Sequence, residues 1–99
     1  MQKKVSMKVP NGKMLKVTAE IENNIIINAQ ITGDFFVYPE EDIAHLEQLL
    51  RYQPLEKELL LYMIDSFFKQ NNVELYGVTA EAIRDALLLC GEEGENKND

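Results

Sequence analysis

One cysteine, one histidine and no tryptophan occur among the 99 residues, and each scarcity narrows what the chain can do. A lone thiol, Cys90, cannot form an internal disulfide, nor can it build an iron-sulfur cluster or a zinc site from several thiolates. A lone imidazole, His45, cannot supply the two histidines that carboxylate-bridged metal sites draw from separate helices. Glycine is sparse and unclustered. Gly12 and Gly33 stand alone and the stretch from Gly91 to Gly94 is acidic, so no phosphate-cradling loop can be traced. No window reaches the roughly 18 apolar residues that span a bilayer, and the first six residues contain no apolar leader core. Membrane insertion and secretion are therefore not expected, and a reducing cytoplasm suits a single free thiol. Positive charge is short too: ten Lys and Arg face seventeen Asp and Glu, a net charge of -7 with pI near 4.7. Apart from the pair Lys3 and Lys4 the cations are scattered along the chain, so a phosphate backbone would be repelled on average and no nucleic-acid partner is expected.

What is present fits one small α+β domain. Residues 1–90 carry the apolar pattern, whereas Gly91 to Asp99 has no apolar residue and is expected to be a disordered acidic tail. The first third alternates with period two: Val5, Met7 and Val9, then Leu15, Val17, Ala19 and Ile21, then Ile25, Ile27, Ala29 and Ile31. Three strands with one buried face follow. A two-residue turn at Asn11 and Gly12 would set Met7 against Lys16, whereas a three-residue loop Pro10–Asn11–Gly12, with Gly12 in the left-handed slot, pairs Met7 with Leu15 and Val5 with Val17. The same parity test makes Glu22–Asn23–Asn24 a three-residue loop pairing Ile21 with Ile25. The result is an antiparallel meander.

Three helices are read after it. Pro39 and the acidic run Glu40–Glu41–Asp42 start the first, with Ile43, Leu46, Leu49 and Leu50 inward. The second runs from about Pro54 to Asn71, and the third starts at Thr79 as N-cap with Ile83, Ala86, Leu87 and Cys90 inward. The three are expected on one face of the sheet. The second helix is the unusual one. Leu60, Met63, Ile64 and Phe67 form its inner stripe, but Leu61 and Phe68 continue past it, and Leu55, Leu59 and Tyr62 flank the other side. An arc this broad is buried on more than one side, either as a helix sandwiched within the fold or as a surface for a partner.

Side chains with chemical potential are few. His45 lies about 160° from the inward Ile43 at ~100° per residue, so it points to solvent, with Asp42 and Glu41 one turn before it as surface partners. Cys90 shares the apolar face of the third helix and reads as a small core residue with no base to activate it. Asp34, between Gly33 and Phe35–Phe36, is the one carboxylate whose setting could make it an acid–base group; its alternative is a turn cap after the third strand. No catalytic residue and no metal site emerge.

The segments Val9–Pro10–Asn11–Gly12–Lys13–Met14, Ile31–Thr32–Gly33–Asp34–Phe35–Phe36 with Tyr38–Pro39–Glu40, and Gly77–Val78–Thr79 with Glu81, Ile83 and Ala86–Leu87 resemble the accessory domain of lipoate-protein ligases. The resemblance covers about Lys3 to Leu89, and its most specific part is the Gly-Lys hairpin followed some twenty residues later by Gly-Asp-Phe-Phe. It implies a fold similar to iron-sulfur scaffold proteins. It further implies a non-catalytic partner of a separate catalytic subunit, which binds lipoate and ATP, forms lipoyl-adenylate and transfers the lipoyl group to an acceptor-protein lysine. On this resemblance Lys13 is the candidate to approach the adenylate, although a solvated hairpin lysine is the alternative. Asp34, Phe35, Phe36 and Tyr38 are loop and interface candidates, as are Leu61 and Phe68 from the broad arc. The other reading is an adaptor or carrier-binding module of the scaffold fold, poor in cysteine.

Overall fold

Strands β1 (Gln2–Lys8), β2 (Met14–Glu22) and β3 (Ile25–Gly33) form an antiparallel sheet in the order β1-β2-β3 in the computed structural model, which describes residues 2–92. Met7 pairs with Leu15 and Val5 with Val17, the register that burying one face demands. The left-handed residue of this hairpin is Asn11 (φ 58°), not Gly12. Asn tolerates that conformation because its short polar side chain bonds locally, and Gly12 is required for a different reason described below.

The second hairpin departs from the expected three-residue loop. Asn23 and Asn24 are both left-handed (φ 51° and 62°), making a two-residue turn of the kind whose twist matches a hairpin. Ile21 therefore pairs with Ile26 and Glu22 with Ile25, and a register shift after Glu20 leaves Ile27 as the extra residue of a bulge. The parity of β3 flips there: Ile26 is fully buried, whereas Ile25 and Ile27 are half-buried and Ala29 and Ile31 return to the core.

The apolar face of the sheet, Leu15, Val17, Ala19, Ala29 and Ile31, is covered by α3 (Ala80–Cys90) over β1 and β2 and by α1 (Asp42–Leu50) over β3. Ile83, Ala86, Leu87 and Cys90 point inward as their spacing requires, and Thr79 Oγ1 accepts a hydrogen bond from the Ala82 amide at 3.1 Å, capping the helix. In α1, Leu46 and Leu50 are buried, Ile43 is half-buried, and Leu49 is 39% exposed rather than inward. Helix α2 (Lys57–Gln70) packs chiefly on α3, not on the sheet, so the sandwiched helix is α3. It begins at Lys57 because the Glu56 carboxylate accepts from the amides of Leu59 (2.9 Å) and Glu58 (3.3 Å). A further pair of short strands, β4 (Phe36–Tyr38) and β5 (Glu74–Tyr76), forms an antiparallel ribbon that period-two reading did not separate from its loops.

The outer edge of β3 is closed by chain that is not a strand. Ile26 donates to Gln53 O, Leu55 to Asn24 O, and the Ile31 amide to Glu47 Oε2 at 2.8 Å. Among the described residues no helix is long and apolar enough to cross a membrane. The acidic tail expected from Gly91 onward lies, past Glu92, outside the described residues.

Candidate functional site

Lys13, Asp34, Phe36 and Tyr38 come together at one end of the molecule through a closed circuit of contacts. The Lys13 amide donates to Gly77 O at 2.9 Å, Tyr76 beside it pairs with Phe36 across the ribbon, and the Asp34 amide donates to Met14 O at 3.0 Å, next to Lys13. The segments that carry the family resemblance, distant in sequence, are thus one structural unit.

Glycines make these approaches possible. A Cβ on Gly12 would lie 2.6 Å from Gly77 O, and one on Gly77, whose φ is 87°, would lie 2.6 Å from Lys13 Cγ. The hairpin tip is therefore clamped to the β5–α3 connection, with Val9 and Val78 buried beneath it and Lys13 exposed above. Gly33 serves likewise, since a Cβ there would meet Met14 O at 2.2 Å and the Phe35 ring at 2.9 Å. Phe35 itself is half-buried against the core. Asp34 is exposed, which removes the burial that an acid–base role would need.

The ribbon has two unlike faces. Val37 and Leu75 turn inward, while Phe36, Tyr38 and Tyr76 stand outward at 49%, 58% and 54% exposure. The rings of Phe36 and Tyr76 lie 5.9 Å apart. The Tyr76 hydroxyl donates to Glu74 Oε1 at 2.8 Å, and that bond, reinforced by the carboxylate's charge, raises the phenol pKa above its ordinary value. Tyr76 was missed in the sequence because Glu74–Leu75–Tyr76 is too short to show periodicity; the aromatic residue immediately before Gly77 was the available signal.

The broad arc of α2 resolves differently. Its buried stripe is Leu60, Ile64 and Phe68, so Phe68, expected on the edge, is a core residue, and it floors an open groove of about 580 Å³ between α2 and α3. Leu61 is half-buried against the core, on the side of the helix away from Phe67. The helix is rotated relative to the expected stripe because α3 draws it to one side. Asp42 Oδ1 accepts a hydrogen bond from His45 Nδ1 at 2.9 Å, and the imidazole stays mostly exposed while Asp42 is buried. The Cys90 thiol is buried, its Sγ 3.7 Å from Val17 O, and burial pushes its pKa up against the opposing pull of the Lys3 charge and a backbone hydrogen bond at Ala19.

The cations are less scattered than they look in sequence. Five lysines and no Asp or Glu lie before Glu20, while the remaining residues hold all seventeen carboxylates against five Lys and Arg. Folding sets Lys4, Lys8 and Lys16 on the open face of the sheet, with Lys13 at its hairpin end. Counting charge in successive windows would have revealed this segregation.

A family model described as bacterial lipoate protein ligase C-terminus matches residues 1–87. Over 44 residues the chain is 41% identical to lipoate-protein ligase A subunit 2 of Thermoplasma acidophilum, a stretch covering 44% of this chain and 47% of that relative, so the match spans about half the relative's length. Among solved structures it aligns, with TM-score 0.72 and 32% identity over 88% of this chain and 97% of the other, to a chain from a structure described as an archaeal lipoylation system, a bi-partite lipoate protein ligase and its E2 lipoyl domain from the same organism.

Proposed function

Because the chain belongs to the family of lipoate protein ligase C-terminal domains, we propose that it is the non-catalytic accessory subunit of a two-component lipoate-protein ligase. In this reading a separate catalytic subunit binds lipoate and ATP, and this chain is needed for their conversion to lipoyl-adenylate before transfer to an acceptor-protein lysine. The observation that carries it is the agreement between a family match over residues 1–87 and a structural match covering 97% of a chain from a bi-partite ligase. A cytoplasmic setting and a ligand-free isolated chain belong to the same reading. So does an architectural likeness to iron-sulfur scaffold proteins, for which one buried thiol offers no cluster ligation.

The chain's own residues take four roles. Lys13, held at its backbone by Gly77, presents a mobile ammonium suited to a phosphate or carboxylate in the joint site. Phe36, Tyr38 and Tyr76 supply an aromatic surface of the type that anchors protein interfaces. Asp34 and Phe35 shape the turn that connects them, and Leu61 extends an apolar flank along α2. Mixing the chain with the catalytic subunit, lipoate and ATP should yield lipoyl-adenylate, measured by mass spectrometry, where the catalytic subunit alone yields little. Equal adenylate formation without this chain would falsify the proposal.

A further inference from the structure

We propose that the open face of the β1-β2-β3 sheet is a docking surface for a carboxylate-rich face of the acceptor protein, an inference that rests on the accessory-subunit reading. Cross-strand pairing fixes the face: Ser6 stands opposite Lys16 and Lys16 opposite Thr32, Lys4 opposite Thr18 and Thr18 opposite Gln30, and Lys8 opposite Met14. With residues two apart on a strand separated by ~7 Å and neighbouring strands by ~4.8 Å, Lys4, Lys8 and Lys16 fall within about 14 Å of one another. Among the described residues none of these three, nor Lys13, forms an ion pair; Lys8 Nζ donates only to Gly12 O, at 3.3 Å. The carboxylates on this face, Glu20 and Glu22, sit at the far end of β2, where the Asn28 side-chain amide donates to Glu20.

A chain of net charge -7 has carboxylates to spare, yet it leaves this cluster uncompensated. Ammonium groups spaced near the Debye length of about 8 Å repel one another at physiological salt, and an acidic partner relieves that repulsion. Protection of an open sheet edge accounts for lysines on β1, but not for Lys16, which lies on the central strand, or Lys13 in the loop. The face is also unlike the aromatic ribbon. Its exposed side chains are Lys, Ser, Thr and Gln, with Glu22 at the far end and Met14 the one large exposed apolar residue, so it has little apolar anchor for a permanent interface. Charge without anchors gives fast, salt-sensitive, reversible association, which suits a protein that must arrive and leave in each cycle. The absence of aromatic side chains on this face leaves no stacking platform for single-stranded nucleic acid.

The test separates the two half-reactions of the reconstituted two-component assembly. Adenylate formation by the wild-type pair examines the accessory role itself, and its failure would remove that role and this docking surface together. With that step working, the combined variant Lys4→Glu, Lys8→Glu, Lys16→Glu should leave adenylate formation unchanged and raise the KM for the acceptor protein about tenfold or more, with kcat little altered and the salt dependence of KM flattened. Lys→Arg at the three positions should retain the wild-type KM. If the charge-reversed chain fails to fold by circular dichroism, Lys→Gln at the same positions should shift KM in the same direction by a smaller factor. An unchanged acceptor KM in a variant that still makes adenylate would overturn the inference. So would loss of adenylate formation through dissociation from the catalytic subunit, or binding of a single-stranded RNA oligonucleotide to the wild-type chain at micromolar concentration.

Discussion

Helices α2 and α3 are both richer in apolar residues than one contact requires, but they use that surplus differently. α3 lies between the sheet and α2 and buries six of its eleven residues, whereas α2 has α3 on one side only and buries three of fourteen. Position in the layers decides burial here. Apolar breadth around α3 is absorbed by two neighbours, and the same breadth around α2 leaves Leu61 half-buried and Tyr62 72% exposed.

The largest expected effect tests the sandwiched helix. Leu87→Ala, at a position with no exposure, should cost about 3–5 kcal/mol by denaturant unfolding, because neighbours on two sides cannot collapse into the space. Phe68→Ala on α2 should cost about 3 kcal/mol, at the low end for a buried phenylalanine, since its groove side is open. A Phe68 variant as stable as wild type would show that α2 is merely leaning on α3. It follows that changing Leu61 and Phe68 together to Ser should unfold the chain through Phe68 and cannot by itself report on a partner surface.

Smaller effects sharpen the contrast. Cys90→Ala should cost about 1–2 kcal/mol as a minor core truncation and leave adenylate formation by the reconstituted pair intact. The thiol also adds a pH signature. Its pKa is raised in the folded chain, so above the ordinary thiol value of about 8.5 the unfolded chain releases a proton that the folded chain keeps, and stability falls as pH rises. That decline should be shallower in Cys90→Ala, which unfolding midpoints between pH 7 and 10 would measure. Thr79→Ala removes the cap on Ala82 and should cost about 1 kcal/mol. Leu61→Ser should cost under about 1 kcal/mol, and weaker binding to the catalytic subunit without unfolding would assign that flank of α2 to the interface.

Much of this was legible from pattern. Period two and the pairing of Met7 with Leu15 fixed the first hairpin, and Thr79 with the spacing of Ile83, Ala86, Leu87 and Cys90 fixed α3, because one-sided burial stamps its period on a sequence. The β2–β3 turn misled the parity test because a bulge at Ile27 changes face mid-strand, and nothing local distinguishes Ile25, Ile26 and Ile27. The rotation of α2 could not be read because its arc is wide enough to permit several orientations; only α3's place selects one. The candidate site was half visible: Lys13, Asp34 and Phe36 stood out by resemblance, but their meeting with Tyr76 and Gly77 depends on a ribbon of three-residue strands.

The two edges of the sheet are unequal in how readily they can open. β3 has hydrogen-bond partners on both sides, from β2 and from Glu47 and the 53–55 segment, although it ends the sheet. β1 has β2 on one side only as a strand partner, with α3 beneath it and the Cys90 thiol donating to Lys3 O at 3.8 Å. Amide exchange by local fluctuation should therefore start along β1, while the amides of Ile26 and Ile31 on β3 exchange only when α1 and the segment after it lift away. The lysine-bearing strand is thus the part of the sheet that can fray and re-form while the rest stays closed.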